Sequence, residues 1–156
     1  MRLGVLDVGS NTVHLVVVDA RQGGQPSAMS DWKTTMRLME HINKHGELNS
    51  KGRHKLVKGV KEASDLAETF GCDDMIPFAT SAVRSATNSD DVLAEVKDQT
   101  GVELKILSGE DEARLTFLAV RRWYGWSAGR IIDLDIGGGS LEISAGPDED
   151  PEDAFS

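Results

Sequence analysis

The sequence predicts an α/β fold, and three features of the 156-residue chain indicate it. Residues 1–40 contain apolar runs typical of three consecutive strands. Residues 50–124 alternate between helical and extended patterns. Residues 131–146 follow the pattern of a strand, a glycine turn and a second strand. The predicted order is therefore β-β-β-α-β-α-β-α followed by a hairpin, and such alternation is typical of a sheet flanked by helices.

The first three strands are expected over residues 3–7, 12–19 and 29–39, with a polar turn at 21–27. The first two are dense in Val and Leu, as expected of strands covered on both faces. A helix follows over 50–70, with apolar residues on one side and lysines on the other. This basic side is typical of a solvated surface, although it could also guide a polyanion. Further strands are predicted at 75–79 and 103–107, separated by a helix that ends at residue 100.

The segment 131–146, IIDLDIGGGSLEISAG, carries the clearest chemical signal. Gly137, Gly138 and Gly139 lack a Cβ, so their N–H groups could approach a bulky anion closely and adopt positive φ. Asp135 stands at the end of a strand, where a carboxylate could hold hydrated Mg²⁺ beside a phosphate. The alternative is a plain hairpin with a flexible turn.

The start of the chain repeats this arrangement. An apolar strand leads to Asp7, a small turn at Gly9, Ser10 and Asn11 follows, and a second apolar strand begins. Asp7 could simply cap that turn. Two such units nevertheless suggest two loops that close on one polyphosphate from opposite sides.

Two further polar side chains are candidates. Arg84 follows the strand at 75–79, at the end where α/β sheets bind ligands, and its guanidinium suits phosphate oxygens. Glu112 lies in the first turn of a helix that Ser108 caps together with Asp111. Glu112 heads a stripe that we expect to face protein, formed by Leu115, Thr116, Ala119 and Trp123, with Arg114 and Arg121 opposite. As a base it could orient a water molecule. The alternatives are a surface arginine and an acidic residue that favours the helix dipole.

Composition and net charge limit the kinds of molecule that the protein is expected to bind. The net charge of −9 argues against a nucleic-acid or anionic-membrane surface. The single cysteine, Cys72, cannot form an internal disulfide, and no segment resembles a signal peptide or a membrane span. We therefore expect a cytoplasmic protein. Trp123, Tyr124 and Trp126 are expected to pack in a core or between domains, and the alternative is that they stack on a base.

Four motifs make the sequence similar to a known family. DVGSNTVHL (7–15), FATSAVRSA (78–86), LSGEDEARLTFLAV (107–120) and DIGGGSLE (135–142) together resemble the exopolyphosphatase and guanosine pentaphosphate phosphohydrolase (Ppx/GppA) family. One departure is Leu141, where many members have Thr. The resemblance implies an actin-like ATPase (ribonuclease H-like) domain with a mixed five-stranded sheet.

The resemblance also implies a function and roles for residues. The protein would be a Mg²⁺-dependent hydrolase that releases terminal phosphate from inorganic polyphosphate or the 5′-phosphate from guanosine pentaphosphate. Glu112 would position the attacking water. Phosphate oxygens would be held by Ser10, Asn11, Arg84, Gly137, Gly138 and Ser140, and Mg²⁺ by Asp7, Asp135 and Glu142.

Members of the family have a second domain of the same kind. Residues 1–146 are thus expected to be the N-terminal domain of a longer protein that could form a homodimer, and residues 147–156 an acidic tail or truncated loop. We expect the domain alone to have little or no activity. Two alternatives remain: an ATP-dependent sugar or acetate kinase-like enzyme of the same superfamily, and a non-catalytic polyphosphate or alarmone sensor, which would not need Glu112.

Overall fold

The computed structural model describes residues 1–21 and 27–156. These residues form two compact units, Met1–Ile106 and Leu107–Ser156. Most of the polar turn expected at 21–27 lies outside the described residues. Among those that are described, no helix is both long and apolar enough to cross a bilayer.

The first unit is built on a five-stranded sheet. Its strands are β1 (Arg2–Val8), β2 (Thr12–Asp19), β3 (Ser27–Thr35), β4 (Asp74–Ala79) and β5 (Lys105–Ile106), in the order β3-β2-β1-β4-β5. Pairs β1–β2 and β2–β3 are antiparallel, whereas β1–β4 and β4–β5 are parallel. The predicted mixed sheet and its element order are confirmed. β3 ends before residue 39 because a 3-10 helix, Leu38–His41, follows it.

Three helices accompany this sheet: α1 (Ser50–Thr69), α2 (Ser81–Arg84) and α3 (Ser89–Thr100). The side chain of Asn49 caps α1 by accepting the N–H of Gly52 at 3.0 Å. Gly101 ends α3 in a left-handed conformation with φ 74°. The α1 positions Leu56, Val60 and Ala63 are fully buried, as the helical periodicity predicts.

Burial of the sheet alternates along its strands. Leu6, Val8, Val13, Leu15 and Val17 are buried in the core that α1 shares. The residues between them are only half-buried. The expectation that β1 and β2 are covered on both faces is therefore wrong: a dense apolar run does not distinguish a face under helices from a face that is partly open.

Two glycines let α1 approach the segment that follows β3. A Cβ on Gly52 would lie 2.6 Å from His41 Cβ and 2.7 Å from Leu48 Cδ1. A Cβ on Gly59 would overlap the Cε methyl group of Met36, whose side chain is buried. The helix therefore contacts this segment at distances that only glycine allows.

Gly52→Ala should destabilise the chain by about 1–3 kcal/mol, although alanine is the better helix former. The clash with His41 Cβ cannot be relieved by rotating a side chain, because Cβ is fixed to the backbone. Chemical denaturation would measure the change in the free energy of unfolding. Ser64→Ala, at a less buried position of the same helix, is the control, and equal stability of the two variants would contradict the packing argument.

The second unit contains one long helix and a three-stranded sheet. The helix is α4 (Gly109–Tyr124), and the strands are β6 (Ile131–Ile136), β7 (Leu141–Gly146) and β8 (Asp153–Phe155). All pairs are antiparallel, in the order β6-β7-β8. The helix lies against the face that carries Asp133, Asp135, Glu142 and Ser144, which alternation along each strand places on one side.

The acidic end of the chain is more ordered than its composition suggests. Residues 153–155 form β8, where an irregular acidic tail was expected, so that expectation needs correction. Three ion pairs hold the segment before β8: Arg114–Asp150, Arg122–Glu149 and Arg130–Glu152. The acidic composition of the segment did not indicate these pairs, because the arginines lie far from it in the sequence.

The orientation of α4 also differs from the prediction. Its buried residues are Ala113, Phe117 and Arg121, whereas Trp123 is 85% exposed and Leu115 is 52% exposed. The Arg121 guanidinium donates to the Gly146 carbonyl at 2.8 Å and lies over the Phe117 and Trp126 rings. Although Nε has no hydrogen-bond partner among the described residues, Nη2 binds a carbonyl and the flat cation lies against two aromatic rings. These contacts allow arginine at a buried position that charge alone assigned to the surface.

The second face of this sheet is apolar and open. It is formed by Ile132, Leu134, Ile136, Leu141, Ile143 and Phe155, each between 38% and 79% exposed. Trp123, Tyr124 and Trp126 are exposed as well, so the expected core packing of these aromatics is not observed within this chain.

Arg114→Gln should loosen the segment 147–152, because Arg114 binds both Asp150 and the Pro151 carbonyl. Hydrogen exchange should become faster there, whereas the amides of β6 should be unaffected. Lys97→Gln, which removes an exposed ion pair with Glu103, is the control. Unchanged exchange at 147–152 in Arg114→Gln would show that β8 pairing alone orders the segment.

Candidate functional site

The β1–β2 turn is fixed through its carbonyl groups. The Ser10 carbonyl accepts the Leu38 N–H at 2.7 Å, and the Asn11 carbonyl accepts the Met36 N–H at 2.7 Å. The C=O and N–H of one peptide group point in opposite directions. The Asn11 N–H therefore points away from the segment that binds the Ser10 carbonyl. The binding of phosphate by this turn stays a prediction.

Parallel pairing brings the ends of β1 and β4 together. Asp7 is in register with Phe78, and the Thr80 N–H donates to the Val8 carbonyl at 3.1 Å. The short helix α2 begins after Thr80 and ends at Arg84. Asp7, the β1–β2 turn and the helix that carries Arg84 thus lie at the same edge of the sheet.

Ser10 and Ser81 are joined by a buried hydrogen bond. Their hydroxyl oxygens are 2.6 Å apart, and the two residues are 5% and 4% exposed. This bond ties the turn to the first residue of α2. Nothing in the sequence indicated that Ser81 pairs with a serine 71 residues earlier.

Ser81→Ala should destabilise the first unit by about 1–3 kcal/mol, because it leaves the buried Ser10 hydroxyl without its partner. The double variant Ser10→Ala/Ser81→Ala should lose less than the sum of the two single variants. Thermal and urea unfolding of all four proteins would measure this coupling. Strict additivity of the two changes would contradict an interaction between the hydroxyls.

In the second unit, the hairpin brings two predicted metal ligands together. Asp135 and Glu142 are directly opposite each other in the antiparallel register of β6 and β7. Opposed residues project to the same face of a sheet, with Cβ atoms about 5 Å apart. Glu142 is 2% exposed and accepts a hydrogen bond from the Ser156 hydroxyl at 3.0 Å. Leu141, the departure from the family pattern, lies on the opposite, open face.

The glycine turn does not have the backbone conformation expected of it. The Gly137 N–H donates to the Ser140 carbonyl at 3.0 Å and closes the turn. Across residues 1–21 and 27–156, the glycines with positive φ are all at other positions. The expectation of positive φ at 137–139 is thus wrong. A Cβ on Gly137 would lie 3.4 Å from the Ser140 carbonyl oxygen. The exposed Gly138 and Gly139 leave the backbone accessible to an anion.

Helix α4 places Glu112 close to this hairpin. The Ser108 hydroxyl oxygen accepts the Asp111 N–H at 3.0 Å, which confirms the predicted cap. One turn after Glu112, the Thr116 hydroxyl donates to Asp135 Oδ2 at 3.3 Å. Residues four apart on a helix are neighbours, so Glu112 and Asp135 lie on the same side of α4. Thr116 was predicted only as part of a stripe, and its contact with Asp135 is new.

The helix-facing side of the hairpin is rich in polar groups. Burial, followed by the charge of Asp135, raises the pKa of Asp133 above its usual value. Ser144 is opposite Asp133 in register and 1% exposed, and in the part of the chain that the structure describes its hydroxyl has no hydrogen-bond partner. The alternation Glu142, Ile143, Ser144 could have identified this serine from sequence.

The described side chains supply too few carboxylates to fill the coordination sphere of a metal ion by themselves. Among the described residues, no three His, Cys, Asp or Glu side chains converge on a point that could hold an ion. Asp135 and Glu142 nevertheless suit Mg²⁺, which usually binds one or two protein carboxylates and takes its other ligands from water and substrate phosphates. The donor chemistry of the hairpin therefore fits this ion.

The mixed five-stranded sheet and the glycine-turn hairpin define an α/β protein of the actin-like ATPase fold class. The model of the Ppx/GppA phosphatase family matches residues 16–156, and the chain belongs to this family.

Sequence relatives agree with this assignment. The chain is 62% identical over 156 residues to exopolyphosphatase 1 of Mycobacterium tuberculosis, covering 100% of this chain and 45% of the relative. The chain thus spans about half the length of the curated relatives it matches.

Solved structures give the same result. The crystal structure of an exopolyphosphatase from Cytophaga hutchinsonii has a TM-score of 0.91 at 26% identity, with 99% of this chain and 49% of that chain covered. The Aquifex aeolicus member of the Ppx/GppA family has a TM-score of 0.83 at 26% identity, with 99% and 50% covered.

Proposed function

We propose that this chain provides the phosphate-binding and water-positioning residues of a Mg²⁺-dependent hydrolase that releases terminal orthophosphate from inorganic polyphosphate. The observation that carries the proposal is the geometry of the second unit. There Asp135 and Glu142 face each other beside a glycine turn, and Thr116 bonds Asp135 one helical turn from Glu112. The name of the 62% identical relative, exopolyphosphatase 1, supports polyphosphate as substrate.

Phosphate oxygens would be bound mainly by the backbone and by one cation. The turn residues Ser10 and Asn11 would contribute N–H groups in the first unit, and Arg84 would contribute its guanidinium. In the second unit Gly137, Gly138 and Ser140 would supply N–H and hydroxyl donors. Local donors of this kind can bind a polyanion in a protein of net charge −9, because they act at contact distance.

Asp135 and Glu142, with Asp7 as a further candidate, would hold Mg²⁺ directly or through water. When bound, the ion would neutralise charge that develops on the phosphate oxygens. Thr116 would keep Asp135 in position, since its hydroxyl occupies one lone pair of Oδ2.

Glu112 would act on the attacking water. A carboxylate in the first turn of a capped helix is held rigidly, and in phosphoryl transfer most of the rate enhancement comes from positioning and charge stabilisation. Glu112 would orient the water against the terminal phosphorus and accept its proton. Glu112 as a residue is half-buried, which limits the solvent around it.

Guanosine pentaphosphate is the second candidate substrate, because the four motifs resemble a family that acts on both compounds and the chain belongs to the Ppx/GppA phosphatase family. The reaction would take place at the same groups, with the 5′-terminal phosphate in place of the end of a polyphosphate. We place the protein in the cytoplasm, and its acidic surface makes nucleic acid and anionic membranes unfavourable partners.

We also propose that residues 1–146 form the first domain of a longer, homodimeric protein. The relatives are about twice as long as this chain. The open apolar face of β6–β8, which includes Leu134, Ile136 and Ile143, is a surface that a further α/β segment of the same polypeptide would cover. The chain alone should then bind phosphate compounds but turn them over slowly.

Glu112→Gln tests the catalytic role. We would join residues 1–156 to the second half of the M. tuberculosis relative and measure phosphate release from polyphosphate and from guanosine pentaphosphate with Mg²⁺. The fused protein should be active, and Glu112→Gln should lower its turnover by about 10²–10⁴-fold while polyphosphate binding persists. Chelation of the divalent ion should abolish turnover.

The nearby variant Glu110→Gln is the matched control, because it removes an acid from the same helical turn without facing Asp135. Binding without turnover, unchanged by Glu112→Gln, would favour the sensor over the hydrolase. Transfer of phosphate from ATP to a sugar or to acetate would favour the kinase-like alternative.

A further inference from the structure

The segment that follows β3 contains an unusual backbone conformation beside the β1–β2 turn. Arg37 has φ 51° and ψ 52°, and it is the only non-glycine residue with positive φ within 1–21 and 27–156. Its N–H donates to the Asn11 carbonyl at 3.1 Å. A side chain in this conformation is strained relative to glycine, and such residues concentrate at functional sites. The presence of arginine at this position therefore suggests a role for its side chain other than stabilising the fold.

Lys55 reaches the same segment from α1. Its half-buried side chain donates from Nζ to the Met36 carbonyl at 2.7 Å, on the peptide that joins Met36 to Arg37. Lys58 and Lys61, farther along the same helix, are paired with Glu62 and Asp65. Lys55 differs from them because its acceptor is a neutral carbonyl.

The two cations are poorly neutralised. Over the ranges 1–21 and 27–156, no carboxylate forms an ion pair with Lys55, and the Arg37 guanidinium reaches only Glu40, at 3.6 Å with both side chains exposed. An exposed pair at this distance contributes little. The Lys55 ammonium lies at the peptide that precedes Arg37, and among the described residues neither cation has a close counter-ion, which is a notable feature in a chain of net charge −9.

We propose that Arg37 and Lys55 form a second phosphate-binding site beside the β1–β2 turn, which takes the phosphates next to the terminal one in a condensed phosphate. The guanidinium fork and the ammonium group suit the oxygens of consecutive phosphates. This proposal rests on the proposed function and adds a basis for chain-length selection. A single orthophosphate would not reach the second site, whereas a longer chain would.

A purely structural role for these residues makes a different prediction. Glycine adopts φ 51° without strain, so Arg37→Gly should leave the fold as stable as before or more stable. If the segment only supports the Asn11 carbonyl, that variant should bind every phosphate compound as the wild type does. If the guanidinium binds substrate, only longer phosphates should lose affinity.

The test is calorimetric binding of orthophosphate and tripolyphosphate to the 156-residue chain with Mg²⁺. The proteins would be the wild type, Arg37→Gly, Lys55→Gln, Lys55→Arg and Lys58→Gln. The wild type should prefer tripolyphosphate. Arg37→Gly and Lys55→Gln should each weaken tripolyphosphate binding about fivefold to tenfold and leave orthophosphate binding unchanged. Lys55→Arg should retain the preference, and Lys58→Gln, which removes one charge from the same helix, should resemble the wild type.

Each other outcome overturns a specific statement. The second site is wrong if the variants keep the wild-type preference for tripolyphosphate. It is also wrong if the variants bind both compounds more weakly by the same factor. In both cases the proposed function stands. If the wild type binds orthophosphate and tripolyphosphate equally, the second site is likewise wrong. If the wild type binds neither compound, both the proposed function of this chain and the second site are wrong.

Discussion

The register of the β6–β7 hairpin is the constraint on which the second unit depends. Because side chains alternate along a strand, pairing Asp135 with Glu142 places both carboxylates towards α4 and places Leu134 and Ile143 on the other face. A slip of one residue would exchange these faces and expose the acids. The hydrogen bond between Gly137 and Ser140 closes the turn and fixes the register there. Asp135 and Glu142 are paired close to this turn.

Helix α4 packs along the hairpin that this register defines. Its capped first turn carries Glu112, its second turn bonds Asp135 through Thr116, and its last turns bury Arg121 against the end of β7. One helix therefore contacts both ends of the same hairpin. The first unit achieves a similar result with hydrogen bonds, since the carbonyls of Ser10 and Asn11 and the hydroxyl of Ser10 are all held by other segments.

The elements of the fold and the positions of its turns could be predicted from sequence, because apolar periodicity, glycines and caps are local signals. Asp135 and Glu142 could be placed together for the same reason, since they are seven positions apart in a hairpin with a glycine turn between them. Contacts that depend on chain geometry could not be predicted. Arg121 is buried because a carbonyl and two rings meet its guanidinium, and the sequence shows only its charge.

The same limit applies to the acidic segment 147–152 and to Ser81. The acidic segment pairs with arginines in α4 and just before β6. Ser81 pairs with Ser10, which lies in the turn between β1 and β2. Arg37 is a different case. Its conformation depends on which carbonyl its N–H can reach, and no residue pattern marks an arginine for positive φ.

The open apolar face of β6–β8 has a thermal consequence. Removing apolar surface from water is driven by entropy near room temperature and is accompanied by a negative change in heat capacity. If a further segment covers this face, as we propose, the apolar part of that association should weaken on cooling. Such a contact would be less stable in the cold than near room temperature, however strong the ion pairs beside it.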